Sequence, residues 1–140
     1  MASRSKTDDV EDEHFGSIMG GMNNLRKNGT LCDVCLVVQS QQFPAHRIVL
    51  AAASKFFRLM FTTNMLESKS YEVELSSVDP EIIELLLEYI YTAEVPVDIS
   101  KVQSLMEVAK QYQIKCLTNV CVEVLKKQTA ARRRSGVGKV

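Results

Sequence analysis

The sequence has no excess of charge of either sign: 17 Lys and Arg stand against 17 Asp and Glu over 140 residues. A neutral chain has no global field to draw it onto DNA, RNA or an acidic lipid surface, and no self-repulsion to oppose oligomerisation. It also has no long hydrophobic run. The most apolar stretch, 82–91, is broken by Glu84 and Glu88, well short of the roughly 20 residues that a membrane helix needs. The first fourteen residues, MASRSKTDDVEDEH, contain no apolar segment, so no secretory signal is read. With four cysteines behind such a beginning, reduced thiols and a cytoplasmic or nuclear location are expected. Only two histidines occur, and there is no GxSxG, no HExxH and no phosphate-cradling glycine loop. No enzyme activity, cofactor or small-molecule substrate is expected. No repeat at a period of about 20 to 50 residues is present, which leaves out solenoids and propellers.

What is present suits one domain with one core, since 46% of the residues are apolar. Residues 1–13 read as a disordered arm, 14–128 as the folded domain and 129–140 as a disordered basic tail. A helix is expected from His14 to Asn28, because Phe15, Ile18, Met19, Met22 and Leu25 make one stripe at helical spacing. Gly20 and Gly21 cost about 1 kcal/mol each there, which is tolerated where a backbone packs close or where packing compensates. Asn28-Gly29 ends that helix. Leu31–Val38 then reads as a buried strand and Gln42–Ala45 as a short return strand, which Pro44 confines to an edge. His46–Ser54 is an alanine-rich core helix, and Ser54–Phe61 a second short helix. Tyr71, Val73 and Leu75 alternate with acids as a half-exposed strand. Asp79-Pro80-Glu81 opens a buried helix to about Tyr91. Ser100 with Gln103 fits a capping box for a helix to about Tyr112, and a last helix spans about Ile114–Gln128. The order implies an α+β fold, a small three-stranded sheet with a helical cluster.

Each candidate site has a competing plain reading. Cys32 and Cys35 form a C-x-x-C, but within a strand those positions face opposite ways and cannot share a metal. Cys116 and Cys121 also diverge on their helix, so no metal site is expected and the thiols read as small buried hydrophobes. Asp33, His46 and Arg47 lack a nucleophile beside them. They read as polar groups that must hydrogen-bond each other and backbone to be buried at all. The stripe Phe15 to Leu25 either packs on its own core or forms a dimer interface. Met65-Leu66-Glu67 puts two apolar side chains and an acid into a polar loop: a knob and an acceptor for a partner, or a pair folded back onto the core. Arg132, Arg133, Arg134 and Lys139 read as a solvated end, with a nuclear-import or nucleic-acid patch as the alternative.

The stretches TLCDVCLVV, FPAHRIVLAAASKFF, MFTTNMLES and LLEYIYTAEV resemble the BTB/POZ domain of Kelch-like proteins, over about residues 14 to 128. The resemblance implies an extra N-terminal helix, carrying Phe15, Ile18, Met19, Met22 and Leu25, that makes a two-fold, helix-exchanged homodimer, or a dimer with related BTB proteins. Asp33 and Arg47 match the polar pair lining the family's dimer-proximal pocket, with His46 beside them. Kelch-like members bind the N-terminal region of cullin-3 as substrate adaptors of a ubiquitin ligase. Their contact motif is a hydrophobic residue, any residue, then Glu. Met65-Leu66-Glu67 fits that motif, and neighbouring contacts fall at Phe61, Tyr112 and Gln113. The alternative within the same fold is a transcriptional repressor domain that binds a co-repressor peptide in the dimer groove, although no C2H2 finger spacing follows. Family adaptors continue into a helical linker and a Kelch propeller, whereas a short basic tail follows residue 130 here. The resemblance thus reaches dimerisation and cullin binding but not substrate capture. A stand-alone domain of this kind would occupy cullin without delivering substrate.

Overall fold

The computed structural model describes residues 8–63, 71–96 and 98–137, with 8 and 130–137 as backbone only. The described chain runs α1 (Asp8–Lys27), β1 (Val34–Val38), β2 (Gln41–Ala45), α2 (Arg47–Ala53), α3 (Lys55–Thr62), β3 (Glu72–Glu74), α4 (Pro80–Thr92), α5 (Ile99–Gln111) and α6 (Lys115–Val137). This is the α+β architecture that the pattern of elements implies.

The β-branched run Val34–Val38 is the middle strand of a sheet ordered β2-β1-β3. It pairs antiparallel with β2 and parallel with β3. Cys35 N–H donates to Tyr71 O at 2.7 Å, so Cys35 turns its backbone groups towards β3. Its register partner on β2 is Pro44. That pair is therefore the non-bonded kind, and Pro44 faces the outer edge with no N–H to offer. The edge is blunted against further strand pairing.

Val34, Leu36, Leu50, Phe57, Ile83, Leu86, Leu87, Leu105 and Leu117 form the centre of one core, all at 0% exposure. Helix α4 crosses it and is buried along Ile82, Ile83, Leu86, Leu87 and Tyr91. Asp79 accepts from Glu81 N–H at 2.9 Å, Pro80 takes the first turn, and Ala93 closes the helix in the left-handed region at φ +66°.

Several boundaries differ from the sequence reading. α1 starts at Asp8, six residues before His14, and takes in part of the segment read as a disordered arm. Its opening turns hold Asp9, Glu11, Asp12 and Glu13, where carboxylates complement the helix dipole. α6 continues to Val137, through residues assigned to a disordered tail. Ala130, Ala131 and the arginines that follow are strong helix formers, and the first glycine comes only at Gly136. β1 begins at Val34 rather than Leu31, because Leu31 sits at φ +59° in a turn. α5 is capped by Asp98, whose carboxylate accepts from Ser100 N–H at 2.9 Å, so Ser100 is inside the helix and not its cap.

Candidate protein-interaction site

Helix α1 is fastened to the domain by its second half. Its last turn closes with a pair of bonds, Gly29 N–H to Arg26 O and Thr30 N–H to Leu25 O, with Gly29 at φ +68°. Only glycine adopts that conformation freely. Arg26 is 5% exposed. Its Nη2 donates to Asn23 Oδ1 at 2.7 Å and to Glu88 Oε2 on α4 at 3.1 Å. Its guanidinium lies 4.9 Å from the centre of the Tyr91 ring. A buried cation without such partners would be strongly destabilising. Among the described residues no buried side-chain nitrogen or oxygen lacks a partner.

Tyr91 and His46 extend this lock to the sheet. His46 backbone N–H donates to the Tyr91 hydroxyl at 3.1 Å, and His46 Nδ1 lies 2.8 Å from the same oxygen. His46 Nε2 lies 3.1 Å from Thr30 O. A carbonyl can only accept, so Nε2 carries the proton and Nδ1 accepts from the tyrosine hydroxyl. Burial pushes the Tyr91 pKa up to about 12, so the hydroxyl keeps its proton at neutral pH.

The three residues expected in one polar pocket fall into two arrangements. Asp33 Oδ1 accepts from Arg47 backbone N–H at 2.7 Å, and Arg47 Nε donates to Asp33 O at 3.1 Å. His46, which precedes α2, gives that helix no side-chain cap. Asp33 supplies one from fourteen residues upstream. His46 itself turns to Tyr91 and Thr30, away from Asp33 and Arg47.

The α1 stripe also divides. Met19 and Met22 pack half-buried against the core, and Leu25 is half-buried. Phe15 and Ile18 stay 60% and 46% exposed. A groove of about 370 Å³ lies between α1, α2 and α4, lined by Met19, Met22, Ile48, Val49, Ala52 and Ile90 among others. Ile48 is 79% exposed. Sequence reading placed it in a core helix. Yet Ile48 and Ala52, four residues apart, form the outward face of α2, while Val49 and Leu50 face the core. The available signal was the all-apolar run Ile48–Ala53, too apolar for a helix with one solvated face. Among the described residues, and apart from the chain neighbours and the helix's own backbone, nothing lies within 4 Å of where a Cβ would stand at Gly16, Gly20 or Gly21, so no other described element packs close at these glycines.

Of the residues expected at a cullin surface, Met65, Leu66 and Glu67 lie outside the described residues. Phe61 is half-buried, stacked on Phe57 at 5.9 Å and covered by the Arg47 guanidinium at 5.0 Å. Tyr112 is 2% exposed and also stacks on Phe57, at 5.4 Å. Its ring supports that surface from within the core and is not presented to a partner. Gln113 is exposed, at φ +56°. Arg26, Asn23, Glu88 and Tyr91 were missed, because nothing in their spacing marks a polar cluster shared between α1 and α4.

The cysteines go separate ways. Cys32 precedes β1 instead of lying within it. Its Sγ is 4.0 Å from Arg26 O and 3.7 Å from His46 Nε2. Cys35 is buried in β1, with Sγ 3.9 Å from Leu36 O. Burial pushes both thiols up, which disfavours the nucleophilic thiolate. Cys116 is exposed and Cys121 buried. No described helix is long and apolar enough to cross a membrane.

The family model of the BTB/POZ domain matches residues 22–129. Kelch-like protein 7 of Homo sapiens is 55% identical over 127 residues, 91% of this chain, and this chain spans 22% of that protein's length. Zinc finger and BTB domain-containing protein 7A of Gallus gallus is 35% identical over 120 residues, 86% of this chain and 22% of that protein. Among solved structures, the BTB domain of zebrafish PATZ1 superposes with a TM-score of 0.74 at 29% identity, covering 90% of this chain and 99% of that one.

Proposed function

The chain belongs to the BTB/POZ domain family, in its Kelch-like branch, and from that premise we propose that it is a homodimerising adaptor domain that binds cullin-3 within a ubiquitin ligase. As a BTB domain it is a protein-interaction module. The observation that carries the dimer is the set of exposed apolar side chains Phe15, Ile18 and Ile48 together with the groove that Met19, Met22 and Ile48 line. Phe15, Ile18 and Ile48 are too exposed to be accounted for by the domain's own core; Ile48 lines the groove with Met19 and Met22, and Phe15 and Ile18 belong to the same helical stripe as those methionines. A second copy using the same patch would cover it symmetrically. Cullin-3 would be met by Phe61 and Gln113, neither of which lines that groove, and through the motif Met65-Leu66-Glu67, which lies outside the described residues, so the two partners would use separate faces. The domain performs no chemistry of its own and supplies proximity and valency.

A co-repressor-binding role is the second reading, favoured by the 35% identity to a zinc-finger BTB protein. The 55% identity to Kelch-like protein 7 and the Met65-Leu66-Glu67 motif support the adaptor reading over it. Calorimetry with a cullin-3 N-terminal fragment tests it. The unsubstituted domain is expected to bind. Met65→Asp is expected to lose about 2 kcal/mol or more, as for a buried anchor, with the dimer retained. Equal affinity of the two proteins would count against the adaptor reading.

A further inference from the structure

A groove of about 500 Å³ opens between the β1–β2 hairpin and the first turns of α4. Gln39, Gln41 and Phe43 line one wall, and Asp79, Pro80 and Glu84 the other. None of these residues lines the groove beside α1 or belongs to the surface expected to meet cullin-3. Phe43 packs half-buried against the core, so part of its ring is open to the groove.

The groove is negative. Asp79 and Glu84 are exposed, and no described lysine or arginine lines it. Asp79 uses Oδ1 to cap α4. Glu81, beside them, already holds Lys101 at 2.7 Å, whereas Glu84 has no ion pair among the described residues. The walls are fixed. The hairpin turns through Gln39 and Ser40, both in the left-handed region at φ +48° and +69°, and Gln39 Nε2 donates to Val78 O at 3.5 Å.

The matching cations are on the same chain. From Lys126 to Lys139 there are six bases and no acid. α5 and α6 are joined by the short turn Tyr112–Ile114 and pack along each other, so they run antiparallel. α5 has 13 residues and α6 has 23, so α6 overhangs by about ten residues, or about 15 Å. Arg132, Arg133 and Arg134 fall in that overhang. It leaves at the N-terminal end of α5, where Lys101 meets Glu81 beside the groove. While it stays helical it points away from its own domain, so its cations are offered to a neighbouring copy.

We infer that this groove receives arginine side chains from the α6 overhang of a second copy. A helix is about 10–12 Å across, so the groove takes projecting side chains and not the helix itself. Glu84 and Asp79 supply carboxylates for a guanidinium, and the Phe43 ring supplies a face for it to lie on. Groove and overhang share one end of the domain, so two copies meet end to end, each serving the other, and the contact closes as a two-fold pair. It is separate from the α1 face and adds to the proposed dimer. Exposed charges make it, so it weakens as salt rises.

The test uses a fluorescent peptide of residues 126–140 and the full chain, followed by anisotropy at low and high salt. Compared with the unsubstituted chain are Glu84→Lys, the milder Glu84→Gln, and Glu107→Lys, an equal charge change at an exposed acid further along α5. Circular dichroism checks that each is folded. The expected result is salt-sensitive binding, lost at least tenfold in Glu84→Lys, less in Glu84→Gln and little in Glu107→Lys. The variant Phe15→Asp with Ile18→Asp is expected to bind the peptide as the parent does, which separates this contact from the α1 dimer. Light scattering is expected to show mass above the dimer at low salt only, and to show none of that gain in R132E/R133E/R134E. No binding by the parent, full affinity in Glu84→Lys, or equal loss in Glu107→Lys would overturn the inference and leave the adaptor reading standing.

Discussion

Replacing Tyr91 by Phe removes one oxygen from the centre of the α1–α4–sheet lock and leaves the ring in place. The phenyl group keeps its packing and the Arg26 guanidinium above it at 4.9 Å. His46 is 8% exposed and loses two partners at once: the acceptor of its backbone N–H at 3.1 Å and the donor to its Nδ1 at 2.8 Å. A buried donor left unsatisfied costs about 1–3 kcal/mol, and the second lost bond about 1 kcal/mol more. Water cannot easily reach the site, so a net loss of about 2–3 kcal/mol is expected, against the few tenths typical of a surface substitution. For a domain of this size each kcal/mol moves Tm by about 3–5 °C, which gives a fall of about 6–15 °C. The assay is thermal unfolding followed by circular dichroism at one fixed protein concentration, since the proposed dimerisation would make Tm depend on concentration. Hydrogen exchange should show the greatest loss of protection from Asn23 to Thr30, where α1 is tied down. A Tm within about 1 °C of the unsubstituted protein would refute the assignment of the hydroxyl as a shared donor and acceptor.

The double variant Phe15→Asp with Ile18→Asp is expected to give a folded monomer by light scattering. Both side chains project from the part of α1 that the lock does not hold, and an unchanged dimer would exclude the α1 face as the interface. Stability is expected to fall on the alkaline side. The folded state holds the Tyr91 proton to about pH 12, while the unfolded chain releases it near the ordinary value of 10. The unfolded state therefore binds fewer protons in that window, and a contribution of about 2–3 kcal/mol, complete below pH 10, is lost as pH rises through it. Cys32, Cys35, Cys121, Tyr89 and Tyr112 share the direction, so the measurement is the difference in alkaline slope of ΔG between the parent and Tyr91→Phe, which lacks this part.

The α+β class and the helical order followed from periodicity. Stripes at three- and four-residue spacing and a β-branched run bury themselves wherever the chain allows. The limits of α1 were not legible, because an acid-rich opening looks like a solvated arm until its carboxylates are set against a helix dipole. Residues Thr129 to Val137 failed for the same reason: propensity without an apolar stripe gives no periodic signal. Asp33 was identified as a polar group in need of partners, but its role as the cap of α2 depends on a long-range approach that no local pattern encodes. His46 was grouped with Asp33 and Arg47 by sequence position, whereas its ring goes to Tyr91, 45 residues on. Glu88 entered only as a break in an apolar stretch and Arg26, 62 residues away, carried no signal at all. Ile48 was hidden in the opposite sense, since an all-apolar run does not say which of its residues the core will leave outside.

The most direct measurement is the mass, by light scattering, of the particle formed when the domain is mixed with excess cullin-3 N-terminal fragment. Two separate faces, one for a second copy and one for cullin, require a particle holding two domains and two fragments. A particle of one domain with one fragment, or a domain whose mass is unchanged by the fragment, would contradict that arrangement.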